Sequence, residues 1–164
     1  MTVEALRRIL LRDLAALQRE IEAYEREPDL WACPPGIANP AGTLALHLAG
    51  NLRHFVGAQL GGTGYVRDRD AEFQDRNVPR AALLARVTDA ATEVERTLGS
   101  LPETRLAEPY PLEVGGVRLL TGTFLLHLAT HFAYHLGQLD YHRRVVTGAP
   151  QGVGAQAIPE LAHP

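Results

Sequence analysis

One cysteine, Cys33, is all the thiol that this chain of 164 residues contains. An internal disulfide is therefore impossible, and a cysteine-based zinc site has too few thiolates. Such low cysteine use fits a reducing cytoplasm, the expected location. Cys33 itself, just ahead of Pro34, reads as an incidental loop thiol. Ser100 is the sole serine and is followed by Leu101-Pro102-Glu103 at what reads as a helix cap, so serine-nucleophile chemistry has no support. A basic stripe is also missing. The 16 basic and 19 acidic residues are scattered and give a net charge of -3, which argues against a nucleic-acid partner. No apolar run approaches the roughly 20 residues that span a bilayer, so no membrane span is expected. The opening MTVEALRRILLRDL breaks its apolar residues with charge and reads as a helix, not as a signal peptide. The HExxH of many metalloproteases is absent, because Phe132 stands where its glutamate belongs, and the GGTG run lacks the lysine of a phosphate-binding loop.

What is present is helical periodicity on the scale of one domain, residues 1–164. Val3, Leu6, Leu10, Leu14, Leu17, Ile21 and Tyr24 recur every three or four residues and predict a first helix over about 3–26. Pro28, Pro34, Pro35 and Pro40 withdraw backbone donors and predict an irregular connection. A second helix starts near Thr43 as N-cap, carries Leu44, Leu48, Leu52 and Phe55, and ends at Gly61-Gly62. Residues 61–78, rich in glycine and alternating charge, read as a long ordered loop. Pro79 opens a third helix whose buried face is Ala82, Leu83, Val87, Ala90, Val94 and Leu98, stopped by Gly99. Gly115-Gly116 between two short apolar segments predicts a small β-hairpin that decorates a crossover. The last helix covers about 121–147 and precedes Gly148 and a loosely ordered tail that includes His163. The expected fold is all-α, four helices with at least one long crossover connection and not a tight up-and-down bundle.

The last helix places His127, His131 and His135 at four-residue steps. Side chains four apart on a helix stand roughly 5–6 Å apart at Cβ, so two imidazoles can share an ion bound about 2.0–2.1 Å from each nitrogen. Three cannot, because eight residues rise about 12 Å. At about 100° per residue, His135 leans some 40° towards the apolar stripe of Leu125, Leu128, Phe132, Leu136 and Leu139, while His127 turns about 40° away. His131 and His135 are the pair, and His47, at the border of the second helix's apolar stripe, is the third ligand. His127 is an alternative ligand or a group that orients one. Asn51 and Gln138 lie where they can orient a ligand, His54 sits about 10 Å too far along its helix, and His142 reads as a supporting or surface residue. Arg67-Asp68-Arg69-Asp70 with Glu72 reads by default as a solvated charge run; the other reading is a loop that brings a carboxylate beside the ion as general base. Three neutral imidazoles leave a fourth position open, the mark of a catalytic rather than a closed site.

HLAGNLRHF on the second helix, VRDRDAEF after it and HFAYHLGQLDYHRR on the last resemble the DinB-like superfamily, which includes the YfiT-like metal-dependent hydrolases. The resemblance covers nearly the whole chain. It implies a four-helix bundle with a long crossover and a divalent metal, often nickel or zinc, held by positions that map to His47, His131 and His135. It also implies homodimers in many members and, for some relatives, transfer of low-molecular-weight thiols such as bacillithiol or mycothiol onto electrophiles. The residues do not choose between that reaction and metal-assisted hydrolysis, nor name the small-molecule substrate. A non-catalytic stress or ligand-binding protein is the alternative from another class, and a structural dimer with ordinary polar histidines is a third.

Overall fold

A computed structural model describes residues 2–162; the expected tail residue His163 lies outside them. The described chain is all-helical, with five α-helices: α1 (Val3–Glu22), α2 (Ala41–Leu52), α3 (Arg69–Gln74), α4 (Arg80–Ser100) and α5 (Thr121–Thr147). Helix α1 packs on α4 and α5, and α2 packs on the same two from the other side. The stripes read from periodicity form the core: Leu6, Leu10, Leu14, Leu17 and Ile21 of α1, Leu83, Val87, Ala90, Val94 and Leu98 of α4, and Leu125, Leu128, Phe132, Leu136 and Leu139 of α5 are all buried, whereas Ala82 at the start of α4 is half-buried. Each such leucine removed from water contributes about 2–3 kcal/mol, which is why these faces and no others meet. No helix among the described residues is long and apolar enough to cross a membrane.

Helix α2 differs from its expected form in two ways. It starts at Ala41 behind Pro40, with no side-chain cap, so Thr43 lies inside it and not at its N-cap. All 12 of its residues are buried, because α1, α3, α4 and α5 cover it on every side. Beyond Leu52 the helix widens into a π-helical turn, Arg53–Ala58, in which Gln59 N–H reaches His54 O at 3.1 Å and Gly61 N–H reaches Val56 O at 3.0 Å.

The segment expected to be a long loop contains α3. Asp68 caps it, its carboxylate accepting from Ala71 N at 2.9 Å. The hairpin before α5 is reduced to a turn. Gly115 and Gly116, at φ +60° and +78°, close a two-residue turn with Val114 and Val117 paired across it, and no strand grows from it among the described residues. A second isolated bridge joins Pro109 to Leu120, but the two bridges do not merge into strands, and two strands alone are marginal in water.

The tail is also more ordered than its composition predicts. Arg8 donates to Leu161 O and Ala162 O, Arg12 to Gln156, and Arg19 to Val153 O and Glu160, so the arginines of one α1 face hold 153–162 along that helix. A buried ion pair, Arg143 on α5 with Glu20 on α1, ties the two helices together, and Arg143 also donates to Gln151 O at the start of the tail.

Candidate metal centre

Helices α2 and α5 bring His47, His131 and His135 together, with one ring nitrogen from each lying within 4.8 Å of the others. His47 Nε2 and His131 Nε2 are 3.3 Å apart. Two ligand atoms held about 2.0–2.1 Å from a tetrahedral ion stand about 3.3–3.4 Å from each other, so this spacing suits a shared ion. His47 is buried, and the two α5 histidines are half-buried at the border of the core.

The opposite edges of two of these rings are already engaged. His135 Nδ1–H donates to Gln138 Oε1 at 2.7 Å, one turn along α5. His47 Nδ1 lies 3.1 Å from Glu72 Oε2 and 3.2 Å from Arg67 Nη2. One ring nitrogen cannot both donate to the carboxylate and accept from the guanidinium. Arg67 grips both oxygens of Glu72, Nε to Oε1 and Nη2 to Oε2 at 2.7 Å each. The consistent assignment is therefore His47 Nδ1–H donating to Glu72, with Arg67 spent on the carboxylate. His47 then turns a bare Nε2 towards His131, the pattern by which proteins orient imidazole ligands.

The charge run at Arg67–Glu72 is thus not the solvated face expected of it. Glu72 is 5% exposed, and a Cβ at Gly50 would meet its Oε1 at 2.1 Å, so the glycine on α2 is what lets α3 bring the carboxylate against His47. Burial pushes the Glu72 carboxyl up, but the hydrogen bonds from Arg67 and His47 outweigh it and hold the group below its usual range. Glu72 stays ionised and orients His47; it is not poised as a general base.

His131 and His135 are held neutral, the form that ligates metal. Burial, then repulsion from His135 and His47, brings His131 down to about 4. Burial lowers His135 as well, against the opposing pull of its Gln138 bond. The aromatic ring of Phe73 lies 5.0 Å from His47, centroid to centroid, and walls the cluster on the α3 side.

The remaining candidates fall outside the three-residue group. His127 is exposed, its ring 6.0 Å from that of His131 and stacked on Phe124. Asn51 is buried one turn beyond His47, and His54 packs edge-on against Phe55. His142 is buried and structural: its Nε2–H donates to Ala32 O at 2.8 Å, and its Nδ1 accepts from Tyr24 O–H at 2.7 Å. Glu72 and Arg67 are the members that sequence reasoning undervalued, because the burial of Glu72 depends on Gly50 across the fold.

The donor set fits a divalent ion: three imidazoles, two of them hydrogen-bonded from behind, with no carboxylate among the three. Compared with protein-family models, curated proteins and solved structures, the chain matches none of them.

Proposed function

We propose that the protein is a cytoplasmic, metal-dependent enzyme in which His47, His131 and His135 hold a divalent ion, nickel or zinc, and leave a coordination position open to the reactant. The observation that carries this reading is the cluster itself, three ring nitrogens from two helices within 4.8 Å of one another. A divalent ion bound there lowers the pKa of a water or small thiol at the open position. The chain's own residues do the rest. Glu72 and Gln138 fix the direction of His47 and His135, and Arg67 cancels the charge of Glu72, so the protein adds little net charge of its own to that of the ion. A site of that sign favours an anionic reactant such as a thiolate or hydroxide.

The arrangement of α1, α2, α4 and α5 supports a four-helix bundle of the DinB-like kind, and with it the homodimer and the thiol-transfer or hydrolytic chemistry that this resemblance implies. The test is a screen of metal-loaded protein against pairs of low-molecular-weight thiols with electrophilic acceptors and against activated esters, with His135→Ala as control. Metal-dependent turnover that disappears in the variant supports the enzyme. A loaded wild type that binds metal but turns over nothing in either panel favours the non-catalytic binding protein.

A further inference from the structure

Arg67 spends Nε and Nη2 on Glu72 and leaves its third nitrogen, Nη1, without a protein partner among the described residues. Its side chain is only 10% exposed, yet Nη1 is not sealed from solvent. Asn51 is in the same condition: the residue is 7% exposed, and neither atom of its amide has a protein partner among the described residues or is sealed off. Polar groups buried to this degree are as a rule hydrogen-bonded within the protein. Two that stay free beside a ligand cluster mark a place where another molecule supplies the partner.

The two residues meet at one opening. Arg67 Nη2 lies 3.2 Å from His47 Nδ1, and Arg67 Cζ lies 5.7 Å from the centre of the Phe55 ring. On the second helix and its π-helical extension, His47, Asn51 and Phe55 follow one another at four-residue steps, so Asn51 stands between the two residues that Arg67 spans. From Phe55 the ring contacts continue to Phe124 at 5.1 Å, from there to His127 at 6.0 Å, to His131 at 6.0 Å, and back to His47 at 5.2 Å. The circuit is closed, with Asn51 inside it and the metal cluster at one end. Apart from these two free groups its polar members are imidazoles, and the nearby Glu72 carboxylate has both oxygens taken by Arg67.

We propose that Arg67 Nη1 and the Asn51 amide N–H₂ receive a carboxylate of the reactant, so that the compound accepted beside the three imidazoles is a small carboxylic acid. A guanidinium N–H and an amide N–H together satisfy the two oxygens of one carboxylate, and the charged donor makes an ionised acceptor the better partner than a neutral carbonyl. Glu72 already balances Arg67, so the site offers hydrogen bonds to a single negative charge and lacks the surplus of positive charge that a phosphate dianion calls for. One helical turn, about 6 Å, separates Asn51 from His47, which places the carboxylate roughly two carbon atoms from the group that occupies the open coordination position. Arg67 and Asn51 are thus specificity-determining residues, and this role rests on the metal-dependent reading above.

The probes are 3-mercaptopropionate and its methyl ester, which share thiol and spacer and differ in charge. Each is titrated into protein saturated with cobalt(II), whose thiolate charge-transfer band reports a thiol at the ion without any need for turnover. The acid should bind wild type at least about tenfold more tightly than the ester, the worth of one charge-assisted hydrogen bond. Asn51→Ala and Arg67→Gln, each shown by melting curves to be folded, should cut that preference several-fold. The ratio is the informative quantity: loss of the Arg67 grip on Glu72 disturbs the metal cluster for both probes alike, whereas loss of a carboxylate contact weakens the acid alone. Folded wild type that takes up no cobalt would remove the metal reading and this inference with it. With cobalt bound, absence of a thiolate band from either probe, equal affinities for acid and ester, or a preference for the acid that neither substitution reduces would overturn the inference and leave the metal reading standing.

Discussion

Glu72 Oε2 accepts a hydrogen bond from His47 Nδ1 at 3.1 Å, joining a charged residue of α3 to a histidine of α2 through the gap left by Gly50. The bond holds the His47 ring so that Nε2 faces His131. Losing it should weaken metal binding without removing a ligand: Glu72→Gln by about 10–100-fold, measured by competition with a chromogenic chelator. Gly50→Ala should produce a similar loss by a different route. Its new Cβ would meet Glu72 Oε1 at 2.1 Å, and the flexible carboxylate yields before the helix does. Unaltered affinity in both variants would show that the carboxylate does not orient the ring.

His127 is the control on the same helix. It is exposed and stands outside the cluster, so His127→Ala should keep wild-type metal stoichiometry, with affinity within about threefold, while His131→Ala and His135→Ala lose the ion. A His127→Ala protein that also lost its metal would move the site one turn towards the start of α5.

His142 makes stability depend on pH. Burial lowers its pKa, against the opposing bond to Ala32 O, below the ordinary 6.5. The neutral ring is the one that fits, because Nδ1 accepts from Tyr24 while Nε2–H donates. A folded-state pKa below the unfolded one means that the contribution is complete above about 6.5 and is lost as pH falls through the lower folded value. His142→Asn, unable to make both bonds, should be less stable by about 2–4 kcal/mol near neutral pH. The gap between wild type and variant should narrow as the solution is acidified. Urea melts of the two proteins in chelator across about pH 4.5 to 8 measure it, and a gap that widened towards acid would contradict the assignment.

Arg143 and Glu20 form a buried ion pair, and Glu20 has no solvent to receive its charge once the arginine is gone. Arg143→Met should therefore cost about 3–5 kcal/mol, more than the loss of packing alone explains. The double variant Glu20→Gln, Arg143→Met should recover much of that, since no uncompensated charge remains. Thermal melts of the three proteins separate this from simple additivity.

The long helices and the histidine cluster were legible because both depend on local periodicity. Leu10, Leu14 and Leu17, or His131 and His135, are related by the turn of one helix, and burial follows from the same spacing that sequence displays. His47 was legible because its helix has a recognisable apolar face. Glu72 was not, because its burial depends on Gly50 across the fold and on the grip of Arg67, neither of which leaves a pattern in a six-residue helix. The start of α2 misled for a related reason: Thr43 is a good cap in isolation, but packing on every side of that helix extended it back to Ala41. The hairpin had a sound turn at Gly115-Gly116, but the segments on either side of it meet only at isolated bridges. In the tail, glycine and proline predicted looseness, whereas the arginines that bind it belong to a helix some 140 residues earlier.

The chemistry proposed for this protein depends on these three imidazoles binding one ion. It is tested most directly by purifying the protein without a histidine tag, loading it with zinc or nickel, removing excess by dialysis, and counting metal by mass spectrometry in wild type and His131→Ala. About one ion per chain in wild type and almost none in the variant is the predicted result. Near-zero metal in both, from folded protein, would contradict it.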